Sequence, residues 1–312
     1  MKQTQTTITL KVSEKTKEQM LEFFDDLRRP KTPPYAVFQA QDGDTVVTLY
    51  ESGKAVFQGR DADLSSDFWI ATEKINSGKA ETTNSQNKKK ETDYNPLPLR
   101  INSIGSDEVG TGDYFGPIVV TSSYVSKENI DFLLELRVKD SKKLTDIDIL
   151  KIVPQIIKKI PYKTYILNNK DYNNQYKNYN MNAMKAILHN KVLYEIKKEH
   201  PNYDYIVVDQ FEPPKSYYNH IKMSNKKVDN ITFLTKAEDK CLSVAVSSLI
   251  SRYIFLKEMD KLSKELNITL PKGANPKVDE TAKLIVEKYG FNKLNEIAKL
   301  NFKNTEKVKN SL

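Results

Sequence analysis

Ile104-Gly105-Ser106-Asp107-Glu108-Val109-Gly110-Thr111-Gly112-Asp113-Tyr114-Phe115-Gly116-Pro117 is the stretch on which the reading of this chain turns. Two adjacent carboxylates run directly into a glycine-rich turn with one hydroxyl and a Gly-Pro stop. Downstream, Ile118-Val119-Val120 and Tyr124-Val125 are β-branched or aromatic and read as a strand. Upstream, residues 99–104 are short and partly apolar. The pattern predicts strand, glycine turn, strand, with the acidic pair where the first strand ends. Neighbouring side chains of a regular strand face opposite ways. Asp107 and Glu108 are therefore expected to share one site only where the pleat breaks, which Gly110 permits. An ordinary Asp-Glu surface turn is the plain alternative. Two carboxylates just before a glycine loop would repel phosphate unless a cation stood between them. That condition points to metal-assisted phosphate chemistry.

Two more acids follow in order. Tyr205-Ile206-Val207-Val208-Asp209 is a continuous apolar run ending in a carboxylate. It predicts a strand buried on both faces and parallel to a neighbour, with Asp209 where open α/β sheets place their sites. A turn or capping aspartate is the alternative. After the short strand 231–234, Lys236-Ala237-Glu238-Asp239 is expected to open a long helix through Val244, Leu249, Ile250 and Ile254. An acid there is ordinarily a favourable partner of the helix dipole. One shared site accounts for the whole order, strand-end Asp-Glu, strand-end Asp, helix-start Glu, more simply than three separate explanations.

The 312 residues allow two domains, and the net charge of +8 suits a polyanionic partner. The single cysteine, Cys241, excludes a disulfide within the chain and a cysteine zinc site. It sits beside an apolar run and is expected to be a small core residue. Met1 to Gln5 lacks the apolar segment of a signal peptide, and no run is long enough to span a membrane. The expectation is a soluble, cytoplasmic protein with no membrane association and no disulfide partner, acting as a monomer.

Three regions are expected. Residues 1–76 read as a small α+β domain: strand 6–12, a helix capped by Ser13, three short strands over 35–58 joined by hairpin turns, then a second amphipathic element from Phe68. Residues 77–97 are polar and contain Lys88-Lys89-Lys90, reading as a flexible basic linker. Residues 98–312 form the larger domain. Within it, Thr145 caps a helix, 162–167 alternates as a strand, and 181–198 is a helix. Its residues Asn182, His189 and Asn190 fit a capped, solvated helix.

Ser106 to Pro117 resembles the first active-site motif of bacterial ribonuclease HIII, and the resemblance continues in order along almost the whole chain. It implies the α/β ribonuclease H-like fold, a central mixed sheet flanked by helices. It also implies a small N-terminal α+β domain similar to half of a TATA-binding protein. The implied activity is endonucleolytic hydrolysis of the RNA strand of an RNA–DNA hybrid, leaving 5′-phosphate and 3′-hydroxyl ends. Asp107, Glu108 and Asp209 correspond to metal ligands and catalytic residues, and Glu238 takes the fourth carboxylate position. Four carboxylates suffice for two Mg²⁺ or Mn²⁺ ions. None of the three histidines lies in these motifs, although Asn182, His189 and Asn190 match a further segment of the family that a capped, solvated helix explains equally well. Gly110, Thr111 and Gly112 match the loop that approaches RNA 2′-hydroxyls. Lys139, Lys142 and Lys143 match a segment beside the active site and are candidates for contact with substrate phosphate. A ribonuclease HII-like enzyme incising at single embedded ribonucleotides is the alternative, as is a non-catalytic hybrid-binding protein. Thr111 in place of that family's arginine, Glu238 in place of its usual aspartate, and the extra N-terminal domain disfavour the former. The intact carboxylate set disfavours the latter.

Overall fold

The computed structural model describes residues 6–43, 45–59, 62–84, 97–98, 100–139 and 144–310, excepting the side chains of 6, 63, 64, 83 and 84. The chain forms two compact units, Met1–Asn95 with Phe211–Asn219, and Pro96–Gln210 with His220–Leu312. Residues 211–219, expected in the larger domain, thus group with the smaller one.

The smaller unit is a five-stranded antiparallel sheet of order β2-β3-β4-β1-β5, with β1 (Thr6–Lys11), β2 (Ala36–Asp42), β3 (Thr45–Tyr50), β4 (Lys54–Gly59) and β5 (Glu81–Asn84). Helices α1 (Glu14–Phe23) and α2 (Ala62–Ser77) supply Met20 and Trp69 to a core with Leu10, Phe38, Leu49 and Phe57. The buried Phe24 and Trp69 rings meet at 5.6 Å; each such side chain contributes about 2–3 kcal/mol on burial. Ser13 caps α1, and a Glu73 carboxylate oxygen accepts from both the Ser13 amide and hydroxyl at 2.9 Å. That pair ties the start of α1 to α2.

The boundary expected for the linker is corrected by the fold. Glu81–Asn84 is a strand, paired antiparallel with β1 from Ile8↔Asn84 to Lys11↔Glu81. A polar segment with little apolar surface can still pair through its backbone along an open strand edge. Ser77 ends α2, and residues 85–96 of the expected linker, including Lys88-Lys89-Lys90, lie outside the described residues.

The larger unit holds a second five-stranded sheet, of order β10-β9-β6-β7-β8, built from β6 (Ser103–Val109), β7 (Ile118–Val125), β8 (Tyr162–Leu167), β9 (Tyr205–Asp209) and β10 (Ile231–Leu234). β9 runs parallel to both β6 and β10, while β7 is antiparallel to β6 and β8. The sheet is mixed, as expected. Between and after the strands come α3 (Ile130–Glu135), α4 (Asp146–Ile156), α5 (Asn169–Gln175), α6 (Met181–Glu199), α7 (Pro214–His220, mostly within the smaller unit), α8 (Leu242–Leu266), α9 (Pro276–Tyr289), α10 (Leu294–Ile297) and α11 (Lys303–Asn310).

Helices α6 and α8 cover opposite faces of this sheet. Ile118 and Val120 of β7 pack with Met184, Leu188 and Val192 of α6, whereas the intervening Val119 packs with Phe255 and Met259 of α8. Gly105 lets α8 lie directly on β6: a Cβ there would stand 2.4 Å from the Val244 nitrogen. Cys241 is a buried free thiol at the start of α8, as expected.

Candidate active site

The three parallel strands end together, and the acids sit at that end. The β6–β9 ladder runs from Ser103↔Tyr205 to Ser106↔Val208, while β6 continues beside β7 to Val109↔Val119. Asp107 and Glu108 therefore extend past their β9 neighbour, next to Asp209, where parallel strands leave a crevice at their carboxyl ends. The chain after β10 returns to the same end. The Ala237 amide donates to Asp209 Oδ1 at 2.7 Å, which places Glu238 beside Asp209.

The pleat does not break at the acidic pair. Asp107↔Thr121 and Glu108↔Val120 are regular rungs, so the two side chains leave opposite faces. Asp107 lies on the α8 side: Ser251 Oγ donates to its carbonyl at 3.1 Å, and Ser248 hydrogen-bonds its carboxylate. Glu108 lies on the α6 side, with Lys185 Nζ 2.8 Å from Oε1 and His189 Nε2 2.9 Å from Oε2. The imidazole Nδ1 in turn meets Ser106 Oγ at 2.7 Å. Convergence arises instead from position, because both carboxylates stand at the free end of one strand.

Electrostatics separates these acids. Burial, reinforced by the Glu108 and Asp209 charges, pushes the Asp107 carboxyl well above its ordinary value. Burial would raise Glu108 too, but the Lys185 ammonium and the His189 hydrogen bond hold it well below the usual carboxylate range. Asp209 is pushed up to about 6 by burial; the Ala237 amide opposes this, and the Glu238 and Glu108 charges add to it. Crowded acids that resist ionisation call for a cation, and an all-oxygen donor set suits a hard divalent ion. By chemistry the residues fit such ions. By geometry their side chains stand apart: among the described residues no three acidic, His or Cys side chains form a ready-made metal-holding group.

Glu238 lies on a 3₁₀ turn, Ala237–Asp239, entered through a left-handed Lys236, and not on the long helix, which begins at Leu242. The left-handed residue turns the chain sharply after β10, so a tight turn intervenes before the helix. Gly110 has φ +99°, and a Cβ there would stand 2.2 Å from the Pro117 carbonyl oxygen, so the turn admits only glycine. Nothing faces the Cβ position of the exposed Gly112. Behind this turn, Gly273 N donates to Asp113 Oδ1, and the buried Lys299 Nζ donates to the Asp113 and Gly116 carbonyls at 2.8 and 2.6 Å. Burial lowers the Lys299 ammonium to about 7, against the opposing Asp113 charge.

Lys139 is exposed and lines one cleft with Glu238 and Lys240. Lys142 and Lys143 lie outside the described residues. Nothing in the sequence singles out Lys185, and His189 stands out there only through a match to a family segment that a solvated helix explains equally well. His189 is fully buried rather than solvated. Asn190 is also buried, holding the chain before β10 through the Lys226 carbonyl and the Val228 amide. The four-residue spacing of Lys185 and His189 puts both on one helix face, but nothing in the sequence says that this face meets β6.

Comparison with known proteins fits this arrangement. A family model described as Ribonuclease HII matches residues 104–305, and one described as a domain of unknown function (DUF3378) matches residues 7–83. The first match assigns the larger unit to the ribonucleases H. Ribonuclease HIII of Bacillus velezensis (strain DSM 23117 / BGSC 10A6 / LMG 26770 / FZB42) is 43% identical over 309 residues, covering 96% of each chain. That of Bacillus subtilis (strain 168) is 41% identical over 311 residues, again covering 96% of each. The crystal structure of Bst-RNase HIII in complex with Mn²⁺ superposes with a TM-score of 0.68 at 34% identity, covering 98% of both chains. The chain belongs to the ribonuclease HIII family.

Proposed function

We propose that this chain is an endoribonuclease that hydrolyses the RNA strand of RNA–DNA hybrids, leaving 5′-phosphate and 3′-hydroxyl ends. Asp107, Glu108, Asp209 and Glu238 are its catalytic carboxylates and would hold two Mg²⁺ or Mn²⁺ ions. The observation that carries this reading is the gathering of Asp107, Glu108 and Asp209 at one end of parallel strands, with Glu238 beside Asp209. When bound, the ions supply a metal-activated water and charge stabilisation for the leaving oxygen. The chain's own residues do the rest. Gly110, Thr111 and Gly112 present backbone to the ribose edge, with open space at Gly112 for close approach. Ser106 and His189 orient Glu108. Lys139, Lys142 and Lys143 contribute positive charge toward the duplex backbone.

The proposed organisation is a small unit through Asn84, a connecting segment, and a catalytic unit from about residue 98. The proposal includes a monomeric enzyme in the cytoplasm. All four acids come from one chain, and among the described residues no helix is long and apolar enough to cross a membrane. The test is cleavage of a uniform RNA–DNA hybrid beside RNA duplex and DNA duplex controls, with Mg²⁺ or Mn²⁺ and after chelation. Metal-dependent cutting confined to the RNA of the hybrid is expected. No cutting under any metal condition would refute it.

A further inference from the structure

Acids crowded into one crevice repel each other, and a chain that folds before it meets metal needs charge of its own there. Helix α6 delivers it. The Lys185 ammonium stands 2.8 Å from Glu108 Oε1, with side chains only 12% and 11% exposed. Its field reaches further than Glu108: burial raises the Asp209 carboxyl, and Lys185 is among the groups that draw it back down. The other Glu108 oxygen is held at 2.9 Å by His189, a fully buried ring fixed from behind by Ser106. The two partners differ in kind. The imidazole is locked by packing, whereas a lysine ends a flexible four-carbon stem and can re-aim its donors.

We propose that Lys185 is a resident counter-cation of the carboxylate cluster, occupying Glu108 before metal arrives and competing with the incoming ion for that ligand. This rests on the assignment of Glu108 as a metal ligand made above. Lys185 keeps the metal-free cluster compatible with a folded crevice, and metal must displace it to recruit Glu108. His189, by contrast, stays in place and presents Glu108 in either state.

The test is calorimetric titration of the full-length protein with Mn²⁺ alone, no nucleic acid present, in wild type, Lys185→Met and Lys185→Arg. Lys185→Met should bind Mn²⁺ more tightly, on the order of tenfold, the effect of one unit charge felt through a partly aqueous crevice. Its metal-free melting temperature should fall and its Mn²⁺-induced rise should exceed that of wild type. Lys185→Arg, which keeps the charge, should stay near wild type. Equal or weaker Mn²⁺ binding by folded Lys185→Met would overturn the proposal. Acylation of Lys185 in the wild type, read by mass spectrometry, gives a check that needs no variant: labelling should increase with Mn²⁺, and unchanged or reduced labelling would count against displacement. If wild type binds no Mn²⁺ at all, the metal assignment itself fails, which is a different outcome from an indifferent variant.

Discussion

Asp107 and Glu108 are consecutive on an uninterrupted strand, and they are held by different helices on opposite faces of the sheet. Asp107 faces Ser248 and Ser251 of α8, while Glu108 faces Lys185 and His189 of α6. Their separation explains their opposite electrostatic character. The carboxyl on the α8 side is pushed up by burial and by its acidic neighbours; the one on the α6 side is held ionised by Lys185 and His189. These two neighbouring acids thus start from different protonation tendencies.

The first prediction concerns what the site costs the fold. Asp209 is raised from an ordinary 3.8 to about 6 by burial. The folded chain therefore keeps a proton that the unfolded chain has already released, and between these values stability falls as pH rises. The penalty is complete above about pH 6 and absent below about pH 4. Asp209→Asn should stabilise the metal-free protein by about 1–3 kcal/mol at neutral pH, with the gain vanishing toward pH 4. Urea unfolding at several pH values, with chelator present, measures it. A destabilised variant at neutral pH would contradict the burial argument.

The second concerns His189. A neutral imidazole that donates from Nε2 to Glu108 leaves Nδ1 to accept from Ser106, so one tautomer satisfies both neighbours. Residues that orient a metal ligand commonly contribute about 10–100-fold to affinity or activity. His189→Leu should lose turnover and Mn²⁺ affinity on that scale. His189→Gln, whose amide can still donate to Glu108, should recover most of both. Equal impairment of the two variants would assign His189 to packing alone.

Much of this was legible in the sequence, for identifiable reasons. Apolar runs such as Ile206-Val207-Val208 and Ile118-Val119-Val120 report strands directly, and the structure has them at those places. Thr145 and Ser13 announce helix starts through local hydrogen bonds. What escaped depends on long-range pairing. Glu81–Asn84 is polar throughout and carries no apolar signal, yet its backbone pairs with β1. The alternation of Asp107 and Glu108 was visible, but not that strands of unequal length would bring both to one end. The segment holding His189 fits a solvated helix as well as a family motif until α6 is laid against β6. Residues 236–239 resemble a helix start in sequence because an acidic turn and a first helical turn share a composition.

The third prediction tests the contact between β6 and α8. A methyl on Gly105 would stand 2.4 Å from the Val244 nitrogen and 2.5 Å from the Ser243 carbonyl carbon, both backbone atoms that cannot turn aside. Gly105→Ala should destabilise the chain by about 1–3 kcal/mol, the usual cost of overpacking. It should also lower turnover, because α8 supports Asp107 through Ser248 and Ser251. An unchanged urea midpoint would show that the helix moves away freely.

The fourth concerns where the enzyme cuts. Thr111 is short and neutral and cannot supply the bidentate phosphate grip of an arginine. Placement of the scissile phosphate should then depend on several successive ribose contacts to the 110–112 turn. Initial rates on duplexes with one, two, four and many consecutive ribonucleotides should rise steeply with run length, since small placement errors cost about a hundredfold. Equal rates on single-ribonucleotide and all-RNA strands would contradict it.

The most direct test of the carboxylate site is Asp107→Asn, with turnover and hybrid affinity measured on the same preparation in Mg²⁺ and in Mn²⁺. The substitution preserves shape on the α8 side and removes one charged oxygen from the cluster. Turnover should fall roughly a hundredfold or more, as when a preorganised electrostatic group is removed, while hybrid binding holds and the variant remains folded. Near-normal turnover in this variant would contradict the assignment of the crevice as the catalytic site.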